Sequence, residues 1–299
     1  MSLWSRKPFL AVRILGRHGV YPAFEISTPG HIFVADEHIV WSAVVQAPLP
    51  EDWEIGEFTQ LMPEEVRLLS AVGLSERDTW EMGQPLITHW AHSHVPLSSV
   101  DFDLTAAANR DLASATARAL GTGPEQALYE GKLTKYVIRP DLGSHEDAID
   151  LLNNIDSNDQ LVLAGLARLL GASRVLFVAG EPEEAAISFL ISMEAALEYL
   201  RLHLCDTLGT TNVPFAEVSN YLRNTFPHGE EVAEYFELRH DERIMATHPS
   251  NRFGEFWTIP LMMGDIYHLR KTLIALYRHL FLGEIPEDGD NERTDERAR

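Results

Sequence analysis

Two different patterns of apolar and polar positions divide this chain. Residues 9–46 carry short runs rich in apolar, β-branched and aromatic residues, from Phe9 to Leu15, from Ala23 to Ser27 and from His31 to Gln46. Gly16, Gly19, Pro22, Pro29-Gly30 and Asp36-Glu37 punctuate them, and this combination predicts strands. Pro63-Glu64-Glu65-Val66 opens a short predicted helix, with proline at its first position and acids in its first turn. Leu104 to Leu120 predicts another, alanine-rich, preceded by Asp103 and followed by Gly121. One further strand is expected from Leu133 to Ile138, and residues 75–100 are less regular.

After residue 150 the period becomes helical. Ser157-Asn158-Asp159-Gln160 has the form of a capping box and predicts a helix to about Leu170, ended by Gly171. Glu181-Pro182 opens the next, to about Leu204, with Phe189, Leu190, Met193, Leu197, Leu200 and Leu204 at helical spacing. Helices are also predicted from Phe215 to Phe226, from Glu230 to Thr247 and from Leu261 to Leu282. The last carries Ile266, Leu269, Leu273, Leu276 and Leu280 on one face. The fold expected is therefore α+β overall, a mixed α/β region over residues 1–149 followed by an all-α helical bundle over 150–283. The acidic, Gly/Pro-broken tail over 284–299 reads as disordered.

Composition narrows the function. The 299 residues carry a net charge of −21, which argues against a broad electrostatic surface for nucleic acid. The charge is uneven: residues 1–150 are net −10, whereas residues 227–283 are net −2 and hold five histidines. A local basic site is compatible with the second stretch only. Cys205 is the single cysteine, so no intrachain disulfide forms. The apolar run Phe9–Val12, broken by Arg13, is too short for a signal peptide, and no window of ~20 apolar residues suggests a membrane span. Cytoplasmic residence without membrane association is the expectation.

The chemistry concentrates in Tyr235 to Pro249. Pro249 disfavours an α conformation at His248, so a helix carrying Arg243 ends near His248. Five residues at about 100° each place Arg243 and His248 about 140° apart on a straight helix. A second copy of the chain, bringing equivalent helix ends together, aims the pair better than one chain does. Arg243 can bind a phosphate bidentately and offset transition-state charge, and His248 can move a proton to or from a ribose hydroxyl or leaving oxygen. The plainer use of these residues is structural, with Arg243 bonded to Glu194 or Glu198 and His248 capping its own helix.

The order of helices from 182 to 282 resembles the HEPN family of bacterial nucleotide- or RNA-associated helical domains. The segment Tyr235…Arg243-Ile244-Met245-Ala246-Thr247-His248 is similar to that family's signature of arginine, four residues and histidine. The resemblance covers about a third of the chain. It implies a homodimer formed through the C-terminal helices and a metal-independent endoribonuclease or RNA- or nucleotide-binding protein. It puts Arg243 and His248 in the catalytic roles, and no cofactor is called for. Arg239, His240, Arg252 and Tyr235 are the candidate substrate contacts. Ile244 stands where the family usually has a polar residue, often asparagine, and this keeps open the alternative of a non-catalytic dimerisation and protein-interaction module. In either reading the N-terminal region supplies specificity or binds a protein partner.

Other templates are weaker. In His89-Trp90-Ala91-His92-Ser93-His94, a strand would put His92 and His94 on one side, and zinc would need a third ligand such as Asp101 or Asp103. Without that ligand the cluster reads as a polar strand or loop edge. Gly121-Thr122-Gly123 lacks the last glycine of a dinucleotide loop, and no Walker-type loop or Gly-x-Ser-x-Gly elbow is present.

Overall fold

The structure, a computed structural model, describes residues 7–17, 23–35, 39–48, 61–75, 91–121, 143–176, 181–226, 229–247 and 263–284. The strand expected at Leu133–Ile138, together with His248, Arg252 and the tail beyond Glu284, lies outside the described residues. The described chain is mixed α and β, with an antiparallel five-stranded sheet in its N-terminal part and eight helices among the described residues.

The sheet comprises β1 (Phe9–Arg17), β2 (Phe24–Ser27), β3 (His31–Ala35), β4 (Ile39–Gln46) and β5 (Ala91–Pro96), in the order β2-β3-β4-β1-β5. Thr28 and His31 exchange backbone hydrogen bonds of 2.8 and 3.3 Å across Pro29-Gly30, closing the β2–β3 hairpin. The run from His31 to Gln46 is two strands rather than one, with Asp36-Glu37 falling between them. Alternation sorts the side chains of β1. Leu10, Val12 and Ile14 join Ile32, Trp41 and Ala43 in a core closed by Ala113 and Ala117 of α2 (Ala107–Gly121). Phe9, Ala11 and Arg13 therefore point to the opposite face, where α1 (Pro63–Leu74) lies.

Helix α1 is buried nearly all round, as expected of a helix covered on two sides. Beyond the sheet it packs against α3 (His145–Asn154) and α4 (Gln160–Arg174). Helix α3 falls where the sequence suggested only a join. Ser144 caps it, its hydroxyl accepting from the Asp147 N–H at 3.0 Å. Helix α4 is capped by Asp159 rather than Ser157, because the Asp159 carboxylate takes the Val162 N–H at 3.0 Å. It also runs through Gly171, the expected stop, to Arg174. A single interior glycine costs only about 1 kcal/mol, which the buried faces of Leu169, Leu170 and Ala172 offset.

The chain divides into two compact units at Ala185/Ala186, inside α5 (Pro182–Leu208). The change of composition at 150 thus falls earlier than the division, since α3 and α4 complete the layer over α1 in the first unit. The described part of the second unit is all helical: the rest of α5, α6 (Phe215–Thr225), α7 (Gly229–Thr247) and α8 (Met263–Leu282). The α5 stripe Phe189, Leu190, Met193, Leu197, Leu200 and Leu204 is buried, as its spacing predicts. Ile266, Leu269, Leu273 and Leu276 of α8 are buried too, while Leu280 is half-buried.

Helix α8 engages each of the others in turn. Tyr277 Oη donates to the Ser192 carbonyl of α5 at 3.0 Å, Tyr221 of α6 meets His279 Nε2 at 2.9 Å, and Tyr235 of α7 donates to the Asp265 carbonyl at 3.2 Å. The start of α7 needs a glycine, because a Cβ at Gly229 would overlap the backbone of Arg223. Gly283, at φ 67°, closes α8 in the left-handed conformation. No described helix is long and apolar enough to cross a membrane.

Candidate functional site

Two places gather chemistry-bearing residues, one in each unit. In the second unit, Arg239, His240 and Arg243 lie on the C-terminal half of α7, and α7 is described as far as Thr247. Positions 239 and 243, like 240 and 243, are close on one helix face. Tyr235, one turn before Arg239, is half-buried. Its hydroxyl is taken by Asp265 in the first turn of α8, and its ring meets His268 edge-on at 4.7 Å. This tyrosine joins α7 to α8, the packing use rather than an open stacking platform. Glu198, one of the two carboxylates considered for Arg243, receives two hydrogen bonds from Arg201 of its own helix, at 2.7 and 2.6 Å. Cys205 is buried, with Arg201 Nη1 3.8 Å from its sulfur.

The first unit holds a cluster that no sequence motif marks. Arg13 sits in the middle of the apolar strand β1 with 0% of its side chain exposed, and Glu65 of α1 with 1%. Arg13 Nε and Nη2 donate to the two carboxylate oxygens of Glu65 at 2.7 and 3.0 Å, a bidentate pair. The same carboxylate accepts from the Met62 N–H at 2.9 Å, so it also satisfies one free donor at the start of α1. On β5, His92 stands opposite Arg13 and His94 opposite Ala11, which places both imidazoles on the Arg13 face. Their ring centroids are 5.2 Å apart, and His94 lies 5.1 Å from the ring of Phe9. Partial desolvation lowers the pKa of His92, which solvent still reaches, and Arg13 adds to this against an opposing pull from Glu65. Burial also lowers that of His94, with Glu65 opposing and His92 and Arg13 reinforcing.

A second polar group continues across the sheet. His31 Nε2 meets Glu64 Oε2 at 2.8 Å, Arg67 Nη1 donates to the same oxygen at 3.3 Å, and Arg67 Nε donates to the Leu152 carbonyl at 2.8 Å. Burial alone would raise the Glu64 pKa, but His31, Ser157 and Arg67 together outweigh it and hold the carboxyl below its ordinary value. The network ties β3, α1 and α3 together. Since the folded pKa lies below the ordinary 4.5, the stabilisation is full above pH 4.5 and is lost as pH falls through the lower folded value. Glu64→Gln is expected to flatten that acid limb of a urea-midpoint against pH curve.

Among the described residues the zinc arrangement is not assembled. Asp101 bonds Ser99 and Asp103 bonds Thr105, and no group of three His, Cys, Asp or Glu side chains suited to a metal occurs among the described residues. The missed signal was Arg13 itself. A charge inside an apolar strand marks a buried partner, but only the fold shows that the partner is Glu65. Comparison with protein family models, with curated proteins and with solved structures finds no match to this chain.

Proposed function

We propose that the second unit is a HEPN-like helical module that pairs with a second copy of the chain and binds and cleaves RNA without a metal, through Arg243 and His248. The observation that carries this reading is the placement of Arg243 near the C-terminal end of α7, within a unit whose described residues form helices and whose helix α8 engages each of the other three. The near-neutral balance of residues 227–283 supports it, since phosphate binding needs a local cation that the acidic remainder would oppose. Arg243 grips the scissile phosphate. His248 takes the proton from a ribose hydroxyl as it attacks phosphorus, or returns one to the leaving oxygen as its bond to phosphorus breaks. Arg239, His240 and Arg252 extend the contact along the RNA backbone.

A second reading has its own support. Leu208 and Leu238 of this unit are 63% and 53% exposed, and Ile244 is apolar. These residues suit a module that dimerises and presents the N-terminal part to a protein. Structured RNA incubated with the full chain in EDTA decides between them. Cleavage by the wild type that falls roughly a hundredfold or more in both Arg243→Ala and His248→Ala supports the nuclease. Absence of cleavage, with a dimer seen by sedimentation, supports the interaction module. Equal cleavage by all three chains removes Arg243 and His248 from the reaction.

A further inference from the structure

We infer that Thr28 is an activated nucleophile that accepts an acyl group from a small reactive ester, with His31 as its base and Glu64 as the group that orients the base. The three side chains form one line of hydrogen bonds in the first unit and do not involve Arg243 or His248. Thr28 Oγ1 lies 3.2 Å from His31 Nδ1, and His31 Nε2 lies 2.8 Å from Glu64 Oε2. A hydroxyl, an imidazole and a carboxylate in that order drive acyl transfer on unrelated folds, where they are recognised by geometry and roles rather than by sequence position.

The Glu64 carboxylate decides which ring nitrogen carries the hydrogen. Burial alone would raise the pKa of this carboxyl, but His31, Ser157 and Arg67 hold it below the ordinary value, so near neutral pH it is ionised and only accepts. The neutral imidazole therefore has its hydrogen on Nε2 and donates it to Glu64. Nδ1 keeps its lone pair and accepts from the Thr28 hydroxyl. The two nitrogens are exchanged relative to the serine-protease arrangement. The roles are unaffected, because either neutral tautomer has one donor and one acceptor. A competing acceptor for the hydroxyl, the His31 carbonyl, lies farther off at 3.5 Å and already takes the Thr28 N–H at 2.8 Å.

The hairpin turn holds the nucleophile in place. Thr28 and His31 are its two ends, and Pro29 between them has a fixed φ. The Pro29 carbonyl accepts the Leu104 N–H at 2.8 Å, and the Gly30 carbonyl accepts the Val45 N–H at 2.9 Å. The His31 N–H donates to Thr28 Oγ1 at 3.1 Å, which favours negative charge on that oxygen. This bond uses one acceptor position of the hydroxyl, and among the described residues the second is left for an acyl carbon. Thr28 is half-buried, so the donor must be small. Thr28 Oγ1 adds to the ester carbonyl while its proton passes to Nδ1. The bond from that carbon to the leaving oxygen then breaks, and Nδ1 gives the proton to the alcohol released. The acyl group stays on Thr28 as an ester until a water, deprotonated by the same nitrogen, frees it and restores the hydroxyl.

The full chain incubated with p-nitrophenyl acetate, acid-quenched early and read by peptide mass spectrometry, tests this. An acetyl group is expected on Thr28, placed there faster than on the exposed Thr211. His31→Gln is expected to slow the labelling of Thr28 roughly a hundredfold or more, the contribution of a positioned base, and to leave that of Thr211 unchanged. Thr28→Ser keeps the label at the same position. Glu64→Gln is expected to slow it too, while hydrogen exchange at Leu104 and Val45, whose N–H groups fix the turn, stays at the wild-type level. Faster exchange at those two amides would make Glu64 a brace for the hairpin and overturn its orienting role. Thr28 labelled no faster than Thr211 in the wild type overturns the inference without recourse to a variant. Equal labelling in a folded His31→Gln chain overturns it as well and leaves Thr28 with the closing of the turn alone.

Discussion

Glu65→Ala is expected to destabilise the first unit by about 3–5 kcal/mol, the usual consequence of removing one partner of a buried ion pair. Arg13 is wholly buried, and its bidentate bonds to Glu65 run through the layer between sheet and helix. Without the carboxylate, the guanidinium remains in a low-dielectric site facing two imidazoles. The Met62 N–H at the start of α1 also loses its acceptor. The loss should be seen as a lower urea midpoint, with hydrogen exchange accelerated in β1 and β4 but not in α8. The paired replacement Arg13→Leu/Glu65→Leu separates charge from packing. It removes both desolvated groups together and is expected to recover most of the stability. If Glu65→Ala alone left exchange in β1 unchanged, the pair would not be holding α1 to the sheet.

The same pair shows where sequence reading stops. Alternation made β1 legible as a strand, and Arg13 stood out as the residue that ended its apolar run. Its partner lies 52 positions away, on a helix whose rotation about its axis is set by tertiary packing. No local pattern couples the two. Helix α3 was missed for a smaller reason: its start, Ser144 with Asp147 three residues on, lies beside Gly143 and Pro140, which read as a join. At α4 two side chains competed for the cap. Asp159 won over Ser157 because it stands immediately before the first helical residue and takes the Val162 N–H. Composition marked a change at 150, but α3 and α4 bury their faces on α1, so compactness carries the boundary on to Ala185. The helices of the second unit were the most legible part, since long 3.6-residue stripes leave few alternatives. Within the proposed site, the arginine on α7 follows from sequence alone. That Tyr235 joins two helices follows only from its contacts with Asp265 and His268.

Phe236→Ala is expected to cost the second unit about 3–5 kcal/mol, the range for deleting a buried aromatic ring. Phe236 is 1% exposed and, like Ala233 one turn before it, is buried on α7. The other ties on this helix are weaker. Arg223 bonds Glu237 at 2.9 Å and Glu230 at 3.2 Å, but these are solvent-screened surface pairs and cannot replace the ring. Tyr235 keeps its bond to Asp265 but loses the neighbour at its edge, 6.2 Å between centroids. The functional consequence separates the two readings of the second unit. If Arg243 grips phosphate, it must be held in place by α7, and loosening the helix from its buried face should lower RNA cleavage although no proposed catalytic residue has changed. The comparison should be made below the melting temperature of the variant, where the folded population is still full. Full cleavage there would mean that the position of α7 does not serve Arg243. A drop in cleavage accompanied by unchanged dimerisation would tie the chemistry to helix placement rather than to assembly.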